Sequence, residues 1–180
     1  TKKKARLVAK GFTQTEGVDY FETYAPVAKI ATIRFLIAFI IHSGWKVRAV
    51  DVVTAYLNGK LKELIYMQQP PGKVSKAHPK KVCRVKRGIY GLKQSGREWN
   101  SDIDDTLTSN GYVRSEVDRC VYTLTMNGHV ICVIVIYVDD ILIATDPETE
   151  YAEKAVELLK THYKLTDNGE LTEILGIKVT

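Results

Sequence analysis

The chain has 180 residues, 45% of them hydrophobic, with 26 Lys and Arg against 21 Asp and Glu, a formal charge of +5. That length and apolar fraction suffice for a sizeable core, which excludes a disordered tail and favours one domain with room for two lobes. The modest basic balance favours an anionic partner without specifying one.

Distribution says more than the total. Lys2, Lys3, Lys4, Arg6 and Lys10 crowd the start, and seven cations lie between Lys73 and Arg87, in a stretch with no acidic residue from Glu63 to Glu98. Each such run also reads as an ordinary solvated face. Cys83, Cys120 and Cys132 are odd in number and widely spaced, with no Cys/His cluster. They therefore indicate neither a disulfide framework nor a zinc site, and a reducing intracellular compartment fits. The longest apolar run, Val130 to Val138, is far short of the ~20 residues of a membrane helix, and no apolar core follows the basic start as a signal peptide requires. The first residue is not Met, and the last lies in an apolar stretch, which reads as a fragment of a longer polyprotein.

In chain order, Ile33, Leu36, Ile37, Ile40 and Ile41 recur at helical spacing, with Gly44 where a left-handed cap belongs; this predicts a helix over 30–43 with those residues on its buried face. Val47 to Val53 is short and β-branched, a strand with Asp51 near its end. Pro70-Pro71-Gly72 opens a loop or irregular hairpin to about Lys81. Trp99, Ile103 and Leu107 mark a helix ended by Asn110-Gly111. Val121 to Met126 and His129 to Val138 flank Asn127-Gly128, a two-residue hairpin signal.

Asp139-Asp140 follows at a turn, and Ile141 to Ala144 resumes as a strand. Asp146 as N-cap and Pro147 at the first helical position predict a helix with Ala152, Ala155, Val156, Leu159 and Tyr163 inward. Leu171 to Val179 reads as a closing hairpin around Gly176. The order predicts an α+β fold, helices packed on a mainly antiparallel sheet.

Two adjacent carboxylates at the end of an apolar run are costly, because like charges in low dielectric raise one pKa or recruit a counter-ion. Hard oxygen donors suit Mg²⁺. If Asp51 meets Asp139 and Asp140, the three carboxylates can hold two ions about 3.5–4 Å apart, an arrangement that performs phosphoryl transfer. Spacing alone does not establish that meeting, and an Asp pair at a turn also reads as solvated.

The surrounding words are more specific. Lys4-Ala5-Arg6-Leu7-Val8-Ala9-Lys10-Gly11-Phe12, Asp19-Tyr20, Ala25-Pro26-Val27, Thr32-Ile33-Arg34, Asp51 through Asn58-Gly59, Tyr90-Gly91-Leu92-Lys93-Gln94, Tyr137-Val138-Asp139-Asp140 and Leu175-Gly176-Ile177 stand in an order that resembles the reverse transcriptase of copia-type retrotransposons over essentially the whole chain. The resemblance implies one reverse transcriptase domain fragment over 1–180, with 1–46 and about 58–92 fingers-like, 47–57 and about 93–180 palm, and thumb and RNase H absent.

The same resemblance implies that Asp51, Asp139 and Asp140 are the catalytic metal ligands, joined by the Val52 backbone carbonyl, with two Mg²⁺ ions that Mn²⁺ can replace. It implies that Lys4, Arg6, Tyr56 and Gln94 contact the nucleotide, Tyr56 by excluding a ribose 2′-hydroxyl, and that Leu175, Gly176 and Ile177 form the primer grip. Tyr56 also reads as a half-buried tyrosine at a strand end. The implied activity is RNA-directed DNA synthesis, with an RNA or DNA template and primer, deoxynucleoside triphosphates and further polyprotein domains (integrase, RNase H) as partners, no membrane, and a cytoplasmic virus-like particle as location.

Two departures from the family pattern bear on that reading. Ser95-Gly96-Arg97 stands where the family has Ala-Pro-Arg, which raises backbone freedom beside Gln94. Asn168 stands where Leu is usual, which predicts a lost apolar contact. These departures keep open a decayed or domesticated palm that binds nucleic acid without catalysis; another nucleotidyl enzyme on a related palm would leave the words before Asp51 unexplained.

Overall fold

The computed structural model describes residues 5–171 and the backbone of 173–174 and 177–178. Contacts divide the chain into two compact units, Thr1–Ala25 with Tyr56–Asp102, and Pro26–Ala55 with Ile103–Thr180. Each is built from two separate stretches of sequence.

In the second unit, α1 (Ile30–Ser43) ends on Gly44 in the left-handed region, φ 66°, and the Trp45 amide donates back to the Ile40 carbonyl at 3.1 Å. Only glycine takes that conformation without a Cβ penalty, so the predicted stop is also the observed one. Five of the strands of this unit, β1 (Lys46–Val52), β4 (Val113–Arg114), β5 (Val121–Met126), β6 (His129–Tyr137) and β7 (Asp140–Thr145), join β8 (Leu165–Glu170) in a sheet of order β4-β5-β6-β7-β1-β8, every pairing antiparallel. Asn127 (φ 51°) and Gly128 (φ 82°) close the β5–β6 hairpin as expected.

One face of the sheet takes α1. Ile33, Leu36 and Ile40 pack with Val135, Leu142, Ala144, Cys120 and Leu171, all buried. Ile37 packs partly buried against this cluster, whereas Ile41, expected on the same face, is 67% exposed. The opposite face holds Ile134, Ile136, Ile141 and Ile143. Because β7 is buried on both faces, its alternation is lost, and each of its isoleucines and leucine stabilises the fold by roughly 1.5–3 kcal/mol.

α3 (Tyr151–His162) lies against β7, β1 and β6. It begins later than the sequence predicts. Asp146 accepts the Glu148 amide at 3.0 Å, and the Thr149 amide donates to the Asp146 carbonyl, so Asp146-Pro147 makes a turn and Glu150 precedes the helix. Proline's fixed φ suits either conformation, and the Asx turn wins. β8 was not foreseen. It carries one extra residue against β1, since Arg48 faces Glu170 but Val50 faces Asp167. Gly169 there has φ 74°, and Asn168 is exposed; the segment of Leu175-Gly176-Ile177, near which an apolar contact was expected to be lost, lies largely outside the described residues.

The first unit pairs β2 (Lys60–Met67) with β3 (Cys83–Arg87) as an antiparallel ribbon around the irregular 68–82 connection. α2 (Ser95–Ser109) starts here and runs on into the second unit, where Ile103 and Leu107 are buried and Asp104 accepts from Tyr122 at 2.9 Å and pairs with Arg114 at 3.0 Å. Gly11 and Gly91 cross so closely that a Cβ on Gly11 would meet the Gly91 carbonyl, and one on Gly91 the Ala9 carbonyl, within 2.1 Å. Both positions therefore require glycine. β9 (Glu173–Ile174) and β10 (Ile177–Lys178) pair antiparallel, as the closing hairpin predicts.

Candidate active site

Asp51 is the sixth residue of β1, between the buried Val50 and Val52. The alternation that buries those two valines turns Asp51 to the other face. The register sets it directly opposite Asp140, the first residue of β7, which in turn faces Tyr137 at the end of β6. Facing residues on antiparallel strands project to one side, with Cβ atoms about 4.5–5.5 Å apart. The same parity runs from Asp140 to Leu142 and Ala144, so both carboxylates stand on the α1 face, at its open end.

Between Tyr137 and Asp140 the chain reverses in two residues. Val138 has φ 57°, a left-handed conformation uncommon for a β-branched residue. The turn is pinned to β1, for the Val52 amide donates to the Asp139 carbonyl at 2.8 Å. Thr54, just beyond β1, is also left-handed at φ 58°. Besides Asn127 in its hairpin, these are the described non-glycine residues with positive φ, and both flank the carboxylates. Such strain persists where surrounding structure enforces it and gathers at functional sites.

The electrostatics follow from this register. Burial first, then the charges of Asp51 and Asp139, push the Asp140 carboxyl above its ordinary value. The Asp139 Oδ1 atom is buried. Three hard-oxygen donors on one pinned β-turn and its neighbouring strand carry more negative charge than their setting favours, a donor set suited to Mg²⁺ or Mn²⁺. The side chains themselves are not drawn together, as among the described residues no three His, Cys, Asp or Glu side chains are gathered to ligand distances. The backbone register supplies the proximity.

The other expected site residues fall in the first unit. Tyr56 is half-buried and its ring lies 4.7 Å from that of Tyr90, tilted by 49°. The Arg6 guanidinium sits over the other partner of this pair, 5.3 Å from the Tyr90 centroid. Arg6 and Tyr56 are thus joined through Tyr90, a residue the sequence reading quoted within its motif without assigning it a role. The Ala9 amide donates to the Tyr90 carbonyl at 2.8 Å, tying the segment just after Arg6 to Tyr90.

Gln94 is fully buried. Its Nε2 donates to the Asp19 carbonyl at 2.8 Å, its Oε1 accepts from Gln14 at 3.0 Å, and Gln14 accepts the Lys93 amide at 2.8 Å. These bonds hold the buried Gln94 within its own unit. The neighbouring departure is braced too. Ser95 donates to the Ile89 carbonyl at 2.7 Å, Gly96 sits where a Cβ would meet Ala25 at 3.3 Å, and Arg97 pairs with Glu22 at 2.6 Å and the buried Glu98 at 2.9 Å. The expected looseness at Ser95-Gly96 is not observed. Lys4, Leu175 and Gly176 lie outside the described residues, and Ile177 is described only as backbone in β10.

Comparison with known proteins identifies the family of the chain. Residues 1–180 match the family described as reverse transcriptase (RNA-dependent DNA polymerase). The chain is 39% identical over 97% of its length to the retrovirus-related Pol polyprotein from transposon RE2 of Arabidopsis thaliana, and 36% identical over 98% to that from transposon TNT 1-94 of Nicotiana tabacum. It spans only 12% and 13% of those two proteins. A putative transposon Ty5-1 protein of Saccharomyces cerevisiae is 38% identical over 72% of the chain. No solved structure matches. With its pinned Tyr137-Val138-Asp139-Asp140 turn set against Asp51, the chain belongs to the reverse transcriptase family, in the copia-type branch of retrotransposon Pol polyproteins.

Proposed function

We propose that this chain is the fingers and palm of an RNA-directed DNA polymerase, the first unit contributing fingers and the second the palm, which moves 26–46 from the fingers-like part that the resemblance implies to the palm and 93–102 from the palm to the fingers. The observation that carries the proposal is the direct facing of Asp51 and Asp140 across β1 and β7, with Asp139 held beside them by the Val52 amide. Reverse transcriptases use divalent metal ions. Asp51, Asp139 and Asp140, with the Val52 carbonyl, would hold them here, supplying charge neutralisation at the reacting phosphate and a more acidic primer 3′-hydroxyl.

The protein's own residues set the frame. The strained Val138 turn and its bond to Val52 fix where Asp139 and Asp140 leave the backbone, so that metal binding has to reorient side chains and not the strands that carry them. In the first unit Arg6 presents a guanidinium fork suited to a triphosphate, and Tyr56, braced by Tyr90, offers a rigid ring edge that would discriminate against a 2′-hydroxyl. We assign Gln94 a positioning role, holding Gln14 and the Asp19 backbone. The primer grip at 175–177 stays part of the proposal. A decayed copy that binds nucleic acid without catalysis is the alternative, and the extension assay below separates the two.

The test is extension of a DNA primer on an RNA template by a Pol protein containing this chain, with Mg²⁺ or Mn²⁺. Asp139→Asn is expected to lower the rate to below about a hundredth of wild type while template affinity stays within about twofold. No extension by the unsubstituted protein, or undiminished extension by Asp139→Asn, would overturn the reading.

A further inference from the structure

Two separate stretches of the first unit, around Arg6 and around Tyr56, are tied to a third, residues 87–91. On one side the Gly88 amide donates to the Gly59 carbonyl at 2.9 Å, and Arg87 donates to the Asn58 carbonyl at 2.7 Å. A Cβ on Gly88 would stand 2.7 Å from the Tyr56 carbonyl oxygen. On the other side the Ala9 amide donates to the Tyr90 carbonyl at 2.8 Å, and a Cβ on Gly91 would collide with the Ala9 carbonyl. Glycine at 88 and 91 lets both backbones come this close. Between the two points Ser95, one of the departures from the family pattern, donates to the Ile89 carbonyl at 2.7 Å.

Tyr90 stands at this junction, half-buried, and its side chain repeats what the backbone does. Its ring centroid is 4.7 Å from that of Tyr56, and the Arg6 guanidinium carbon is 5.3 Å from it. Both contacts are attractive and both fix direction as well as distance. Arg6 is exposed, and a long cationic side chain in water spreads over many rotamers unless something holds it. A ring that is to reject a 2′-hydroxyl has to resist swinging aside, because a misplacement of about 1 Å undoes a steric choice. One side chain meets both needs.

We propose that Tyr90 is a positioning residue that sets the discrimination between deoxyribose and ribose, its ring holding Tyr56 against rotation while its face holds Arg6. Sugar selection and triphosphate grip then share one support. This rests on the polymerase reading for the roles of Tyr56 and Arg6, and it adds a residue through which the two act together.

The experiment compares dGTP with GTP in a Pol protein containing this chain. One measurement is kcat and KM for single-nucleotide extension on an RNA template; the other is equilibrium affinity on a dideoxy-terminated primer, which needs no turnover. Tyr90→Leu is expected to lower the preference for dGTP about two- to tenfold, the range of an aromatic pair. It is also expected to raise KM for both nucleotides about two- to fivefold, the range of an exposed cation–π contact, with kcat for dGTP within about twofold. Tyr90→Phe, which keeps the ring, is expected to restore both. Tyr90→Met replaces Tyr90→Leu if the latter melts early by circular dichroism. In a Tyr56→Ala background Tyr90→Leu is expected to cost no further preference, and in an Arg6→Met background no further KM, because contacting residues are not additive.

A purely structural role would lower the use of dGTP and GTP alike. The proposal is overturned by an unchanged preference in both Tyr90→Leu and Tyr90→Met, by a Tyr90→Phe variant as lax as Tyr90→Leu, or by full losses persisting in either background. Any of these in a protein that extends primers sinks this inference alone. A Tyr90-dependent preference in binding by a protein that never extends sinks the proposed function alone, and no binding of dGTP sinks both.

Discussion

Asp140→Asn makes the carboxylate site a question of stability as well as activity. Asp140 faces Asp51 on paired strands, and its carboxyl is raised by burial and by the charges of Asp51 and Asp139. With a raised folded pKa, the native state holds more protons than the unfolded state between the two values, so stability falls as pH rises through that window and stays reduced at neutral pH. Two unit charges about 5 Å apart repel by about 0.8 kcal/mol in water and about 3 kcal/mol at an effective dielectric of 20. Because Asp140 is exposed at its tip, the lower end applies, about 1 kcal/mol. Asn removes the repulsion without removing volume, and should raise Tm in EDTA at pH 7 by about 2–4 °C for a chain of this size. The gain should shrink toward pH 3.5.

Divalent cation should reverse the order. At ten times its dissociation constant a bound ion stabilises the wild type by about 1.4 kcal/mol, and the variant, lacking a charged ligand, gains less. Thermal melts by circular dichroism with EDTA and with Mn²⁺ read both effects. A variant no more stable than wild type in EDTA at pH 7, or one that gains equally from Mn²⁺, would refute the argument that these carboxylates form one over-charged set.

Arg48 grips Asp167 with two bonds, 3.0 and 2.8 Å, at side chains 30% and 21% exposed, and so ties β8 to the strand that carries Asp51. The Arg48 hydrogen bond holds the Asp167 carboxyl below its ordinary value, so its contribution is present at neutral pH and lost as pH falls through that lowered value; Arg48→Met should cost about 1–2 kcal/mol at pH 7 and much less near pH 2, by thermal melts at both. Val138→Gly should change stability by less than about 1 kcal/mol in urea titrations, since relief of about 1–2 kcal/mol of left-handed strain offsets the roughly 0.5–1 kcal/mol that glycine's freedom costs. A loss above about 2 kcal/mol would mean that Val138 is held by packing and carries no strain.

Much of the second unit could be read ahead of the coordinates because its signals are local. Gly44 ends α1 and Asn127-Gly128 closes β5–β6, each through a backbone conformation that few residues accept. β8 escaped notice because Asp167, Asn168 and Gly169 are poor strand formers; it is held instead by β1 and by Arg48, partners more than a hundred residues away in sequence. For the ribbon, an irregular hairpin was one of two readings of the connection, but its two strands went unassigned because so long a connection is no turn signal, and Asp146-Pro147 misled because a helix cap and an Asx turn use the same side chain. The meeting of Asp51 with Asp140 was implied by family resemblance alone, since spacing carries no register; the observed pairing supplies it. Gln94 shows the converse, a motif residue whose surroundings assign it bracing.

The position of β1 also has a consequence in time. It is the second strand from the edge, paired with β7 on one side and β8 on the other, and its partners begin about 90 and 110 residues after it in the chain. At about 5–20 residues per second of synthesis, β1 would wait on the order of 5–20 s after emerging before either neighbour existed, with α1 already able to form beside it. During that interval Val50 and Val52 have no sheet to enter, and both edges of β1 are open to pairing with another nascent chain. Asp51, a charge set between those two valines, would then disfavour such pairing before it could serve any chemistry.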